Sequence, residues 1–211
     1  MKEKLITEFI GTFFLYLIIA LSAVSGAAGD FAPLAIGLGL AALIFASGHR
    51  SKAHFNPAVT LAFLFTKNQK LKESAAYIIT AIVAVLFAAF SAQLLSPKIP
   101  QAEIIIFCPF TAILAEFIFT FILVWVILNV AVSKGTQGNG FYGIAIGFTV
   151  ASGAYCVGSI SGASFNPAVS IGLLINNVID LKTVLLYSLV QLFAGFIAAK
   201  LFNCLEQDKV T

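Results

Sequence analysis

Two Asn-Pro-Ala triplets, Asn56-Pro57-Ala58 and Asn166-Pro167-Ala168, stand 110 positions apart, each preceded by Phe. Asn is among the strongest helix N-caps, and Pro is favoured at the first helical position because its missing N–H had no intrahelical partner to lose. Each triplet therefore predicts a helix that starts sharply at its Asn. Such a start carries unpaired backbone N–H groups and about half a positive charge, beside an amide that can donate to a passing oxygen. The chemistry on offer is non-covalent: a grip for neutral oxygen-bearing molecules and a repulsion for cations. No nucleophile–base pair, metal cluster or phosphate-binding loop accompanies the triplets, so nothing supports an enzyme, a cofactor or a metal. Cys108, Cys156 and Cys204 have no ligand spacing and read as free thiols.

The elements that must position these triplets are apolar. Of 211 residues, 60% are hydrophobic and only 10% charged, and the mean hydropathy is +1.03. An ordinary soluble domain carries about 25% charged residues, and a core of this size could not hide so much apolar surface. The surroundings must be lipid. Apolar segments fall at about 5–27, 31–47, 74–95, 111–132, 141–157 and 184–202, each close to the ~20 residues a spanning helix needs. The first resembles a signal peptide in outline, but its apolar run is too long and contains Glu8, so it reads as a span. Two further apolar pieces, 56–65 and 166–175, reach only roughly 15 Å, about half a bilayer. The net charge of +3 is dispersed between apolar stretches rather than gathered on a face, so no nucleic-acid partner is expected.

The chain repeats itself. Glu8-Phe9-Ile10 recurs as Glu116-Phe117-Ile118 at an offset of 108, and Phe55-Asn56-Pro57-Ala58-Val59 as Phe165-Asn166-Pro167-Ala168-Val169 at 110. Two units, 1–107 and 108–211, each hold three spans and a short helix. Three is odd, so the second unit enters the membrane from the opposite side and the repeats are inverted. With cytoplasmic termini, Lys2, Lys4, Arg50, Lys52, Lys67, Lys70, Lys72, Lys134, Lys200 and Lys209 lie inside and only Lys98 and Lys182 outside. That asymmetry obeys the positive-inside rule. The expected fold is an all-α membrane protein of six transmembrane helices plus two re-entrant half-helices in two inverted repeats.

Each short helix must dip in and return. Non-helical backbone at membrane depth survives only where it lines water or is buried in protein, and the small-residue stretches 49–55 and 159–165 are the candidates. Together these features point to an aqueous pore. Glu8 and Glu116 are the acidic residues inside spans, where a carboxylate is costly. Their symmetric placement favours a buttress that accepts hydrogen bonds from the neighbouring loop over a proton relay. Gly143 with Gly147, and Ser22 with Gly26, read as small-residue pairs that let helices approach closely.

The paired triplets in inverted repeats, with Gly48-His49, His54-Phe55, Ala115-Glu116-Phe117 and Ser161-Gly162-Ala163 around them, resemble the aquaporins of the major intrinsic protein family over essentially the whole chain. The resemblance implies a homotetramer in the lipid bilayer with a pore in every subunit. It also implies a narrowest point formed by Ile36, Ala154, Ala163 and Val169. Most water and glycerol channels have Arg where this chain has Val169, and commonly an aromatic residue at Ile36. The constriction would then be wide and wholly apolar. At the cytoplasmic vestibule, His49, Arg50 and Lys52 make the mouth basic, and Lys52 stands where Gly is expected. Lys52 could plug the pore and His49 could gate it with pH, or the basic chains could simply snorkel to water.

The function expected is a passive channel for small uncharged solutes: water, metalloid hydroxides such as arsenite, or organics of glycerol or urea size. A secondary transporter built on inverted repeats is the alternative, as is a poorly conducting structural membrane protein. Short loops suggest the plasma membrane, with multiple passes and both termini cytoplasmic.

Overall fold

The computed structural model describes residues 1–99 and 109–207. The boundary expected between 107 and 108, Cys108 and Lys209 all lie outside the described residues. Among the described residues the secondary structure is entirely helical. In chain order the helices are α1 (Lys2–Ile19), α2 (Ala32–Ser51), α3 (Pro57–Phe65), α4 (Leu71–Leu95), α5 (Pro109–Ala131), α6 (Tyr142–Ser161), α7 (Pro167–Ile175) and α8 (Leu181–Gln207). A π-helical stretch, Ala20–Val24, continues α1. Among the described residues, six segments are long and apolar enough to cross a membrane: Lys2–Val24, Gly29–Ser51, Leu71–Leu95, Pro109–Ala131, Tyr142–Ser161 and Leu181–Glu206. This is a multi-pass membrane protein.

The order long, long, short, long occurs twice, and the packing repeats with it. α1 lies against α2 and α4, α5 lies against α6 and α8, and α2 crosses α6 at the seam between the halves. That seam is tight because it is built from glycine. A Cβ at Gly147 would stand 2.3 Å from the carbonyl oxygen of Gly37, and one at Gly37 would stand 2.6 Å from that of Gly147. Each half-helix packs more heavily on the last helix of the other half, α3 on α8 and α7 on α4. A Cβ at Gly195 would meet the Ala58 carbonyl at 2.8 Å, which shows how closely α8 approaches the start of α3.

Outward faces carry large apolar side chains, among them Phe87, Phe90, Leu94, Leu185, Leu189 and Phe193. Such a surface suits a hydrocarbon solvent, where apolar contact with the surroundings carries no penalty.

Three local readings change. The non-helical stretches expected at 49–55 and 159–165 are shorter, because α2 and α6 run on through Ser51 and Ser161. Their last turns are closed by left-handed caps: Lys52 N–H donates to Gly48 and Gly162 N–H to Gly158. Tyr77 and Tyr187 then donate their hydroxyls to the Ser51 and Ser161 carbonyls at 3.0 and 2.8 Å, satisfying helix-end acceptors that would otherwise be orphaned. Finally, Ser22 and Gly26 are not a helix-packing pair. Gly26 has φ +73°, and a Cβ placed on it would have no atom within 4 Å, so it serves a turn after the π-helical stretch.

Candidate functional site

Four residues of extended or left-handed chain, 52–55 and 162–165, lead into each half-helix. Ala53, Phe55, Ala163 and Phe165 all have φ between +48° and +51°. That region costs a residue with a Cβ of order 1–2 kcal/mol, so something must hold it. The carboxylate of Glu8 accepts N–H bonds from His54 at 3.0 Å and Phe55 at 2.8 Å. Glu116 does the same for Ser164 at 2.9 Å and Phe165 at 2.8 Å, and also takes the Ser161 hydroxyl and the Gln191 amide. Both carboxylates are buried, at 1% and 0% exposure. Neither lines the cavity described below.

The turn at the end of each chain is set by its Asn. Asn56 and Asn166 are extended (φ −153° and −156°), and each Oδ1 accepts the N–H two residues on, at 2.8 and 2.9 Å. Pro57 and Pro167 follow as the first helical residues. The amide nitrogens then cross between the halves. Asn56 Nδ2 donates to the Phe165 carbonyl and Asn166 Nδ2 to the Phe55 carbonyl, both at 2.9 Å. The two half-helices therefore meet N-terminus to N-terminus. Each amide has two hydrogens, so one on each Asn is left for another acceptor.

A cavity of about 1100 Å³ runs between the halves past both Asn side chains. Its walls are two stripes at four-residue spacing, which places them on one face of each helix: Ile36, Leu40 and Ile44 from α2, and Ile146, Val150 and Ala154 from α6. One mouth is edged by His49, Lys52, Asn68 and Gln137, the other by Ala23, Pro33, Val178 and Ile179. Ile36, Ala154, Ala163 and Val169 all reach this wall. Pro57, Ala58, Pro167 and Ala168 are buried behind it, where they shape the helix starts. Arg50 is not on the wall: its Nε donates to His49 Nε2 at 3.0 Å and lies 3.8 Å from Glu3. Among the described residues, no donor reaches the carbonyl oxygens of Ala53, His54, Ala163 or Ser164, which are free to accept from a molecule in the cavity.

The family profile described as Major intrinsic protein matches residues 1–131 and again 103–210. The chain belongs to this family. Nodulin-26 of Glycine max is 35% identical over 184 residues, covering 81% of this chain and 66% of that protein. Aquaporin NIP1-2 of Arabidopsis thaliana is 33% identical over 186 residues, covering 81% of this chain and 63% of its own length. The chain thus spans just under two thirds of the length of these curated relatives. The aquaglyceroporin from Plasmodium falciparum superposes with a TM-score of 0.72 at 23% identity, over 95% of this chain and 93% of the other. At that identity the likeness speaks for the fold.

Several contributors were not singled out from sequence. The carbonyls of Phe55 and Phe165, the Tyr77 and Tyr187 hydroxyls, and the Ser164–Ser170 bond at 2.6 Å all brace the half-helices. Tyr77 and Tyr187 share the 110-residue offset, so the repeat itself held the signal.

Proposed function

We propose that the chain forms a passive transmembrane channel for small uncharged solutes, water among them, with the cavity between its halves as the conduit. The observation that carries this is the reciprocal pair of Asn amides set in the wall of one cavity whose lining is drawn from both halves and from both ends of α2 and α6. Two convergent helix N-termini disfavour cations, while the spare amide hydrogens and the free carbonyls replace a neutral permeant's lost hydration. Asn56 and Asn166 are the central donors, and Pro57, Ala58, Pro167 and Ala168 fix their helix starts. Glu8 and Glu116 act as buttresses for the descending chains.

Ile36, Ala154, Ala163 and Val169 form the selectivity constriction in this reading. All four side chains are apolar, so the ring discriminates by width and by the cost of desolvation rather than by a hydrogen-bonding grip. That favours neutral solutes larger than water: undissociated metalloid hydroxides or organics of urea or glycerol size. In this reading both termini are cytoplasmic, supported by the charge asymmetry of the loops, and the Lys52 mouth is the inner one, at a plasma membrane. The subunits assemble as a homotetramer, and the two repeats meet near 107–108. The protein transports and does not catalyse.

Stopped-flow swelling of proteoliposomes across a panel of water, urea, glycerol and arsenite, with and without a proton gradient, tests this. Gradient-independent flux above that of empty vesicles is expected. Flux that needs the gradient would mean a secondary transporter, and no flux for any solute would mean a structural role.

A further inference from the structure

The cavity wall carries one charged side chain among the described residues. Of everything that lines the passage from mouth to mouth, Lys52 is the sole Lys, Arg, Asp or Glu. The other titratable groups on the wall are His49, His54 and Tyr142. His49 Nε2 accepts from Arg50 Nε at 3.0 Å. His54 is buried among Phe63, Tyr77 and Thr60.

Lys52 is also held in place. Its ammonium donates to the Asn68 carbonyl at 2.9 Å and sits 5.6 Å over the Phe63 ring. Glu73, which attracts Lys52 electrostatically, is itself paired with Lys4 at 2.7 Å. Among the described residues no ion pair neutralises Lys52.

Its backbone is in the wrong conformation for a lysine. Lys52 has φ +72°, where its counterpart in the other half is Gly162 at φ +81°. A residue with a Cβ kept in that region carries strain that glycine would avoid, and retained strain of this kind points toward a use for the side chain. Cap geometry alone would be better served by glycine. What a lysine adds there is a fixed positive charge at the threshold of a largely apolar cavity, where low-dielectric walls confine field lines and a unit charge acts more strongly than in open water.

We infer that Lys52 is a specificity-determining residue that turns cations away at its mouth of the channel while leaving neutral molecules of the same size and shape free to enter. The inference rests on the channel reading above. The Ile36–Ala154–Ala163–Val169 ring has no charge with which to reject ions, so the rejection falls to Lys52 together with the two half-helix N-termini.

Guanidinium and urea form the discriminating pair, being planar, nearly isosteric, and different in charge at every relevant pH. Labelled guanidinium and urea uptake is measured in the same proteoliposomes, voltage-clamped with potassium and valinomycin, with water flux as a second neutral reference. The native protein should hold guanidinium at the level of empty vesicles. In Lys52→Gln the guanidinium-to-urea ratio should rise at least fivefold, in Lys52→Glu at least tenfold, and in Lys52→Arg it should match the native ratio. The Gln effect should shrink as salt is raised from 20 to 500 mM, because ions screen charge across the mouth. Ratios within twofold of native in both Gln and Glu variants overturn the inference. So does an equal rise of both solutes in Lys52→Gln, which would make Lys52 a plug. Absence of urea and water flux in the native protein is a different result, and it removes the channel reading itself.

Discussion

The side-chain amide of Asn56 donates to the carbonyl of Phe165 at 2.9 Å, across 109 positions of sequence. The bond joins the cap of one half-helix to the last residue before the other cap, so each half-helix is anchored by the repeat it does not belong to. Capping and anchoring are carried by one side chain, through two different atoms.

Replacing Asn56 with Ala removes both. The lost cap costs about 1 kcal/mol, and the orphaned, buried Phe165 carbonyl a further ~1–3 kcal/mol. Thermal unfolding in detergent should show a clear drop in Tm for Asn56→Ala, with a similar drop for Asn166→Ala. The double variant should lose less than the sum, because both bonds hold one junction. Strict additivity would mean that the two caps act independently.

Glu116 should matter more than Glu8. Both accept two loop N–H groups, but Glu116 also accepts from Gln191, whose counterpart position holds Ala81. Glu116→Ala strands more buried donors, each worth about 1–3 kcal/mol. Folded yield and Tm should fall further for Glu116→Ala than for Glu8→Ala, and Gln191→Leu should narrow the gap. Equal losses in the two Ala variants would contradict this.

The α2–α6 seam has no room for a methyl group. Gly147→Ala drives its Cβ into the Gly37 carbonyl, a backbone atom that cannot rotate away. Overpacking of that kind costs typically ~1–3 kcal/mol. Because α2 and α6 both line the cavity, solute flux should change along with Tm. Gly158→Ala is the control for Tm alone, since Gly158 itself lines the cavity: nothing lies within 4 Å of its Cβ position, and Ala for Gly inside a helix gains up to about 1 kcal/mol.

Val169 is 3% exposed and faces the cavity in the first turn of α7. Val169→Arg would place a cation with five donors against Ile36, Ala154 and Ala163. Flux of metalloid-sized and organic solutes should fall severalfold, while water flux should persist because single-file water needs less width. Large solutes crossing at the native rate, with water unaltered, would show that Val169 does not line the constriction.

The half-helices are the most legible part of the sequence because Asn-Pro is a local device: the cap, the N1 residue and the helix they start are contiguous. The spans are legible for the same reason, as lipid demands unbroken apolar runs. The ends of α2 and α6 are not. Gly48-His49-Arg50-Ser51 and Gly158-Ser159-Ile160-Ser161 have the composition of a loop, and what keeps them helical is a tyrosine hydroxyl from α4 or α8. Arg50 belongs with the vestibule by proximity in sequence, but two helical steps separate it from Lys52, and its side chain turns to Glu3. The strain at Lys52 is foreshadowed by its alignment with Gly162. Its isolation as the only fixed charge among the described wall residues required the wall.

The exchange of partners by α3 and α7 has a consequence for biosynthesis. When α3 leaves the ribosome, the end of its main packing surface, α8, is still roughly 140 residues from being made. At about 5–20 residues per second, the first half-helix waits on the order of 10 s beside a bilayer it is too short to cross. Assembly is therefore a clasp whose second jaw arrives last, and the chain can commit to its final arrangement only after its C-terminal helix is in place. Two separately expressed halves should each be degraded alone and rescue one another when made together.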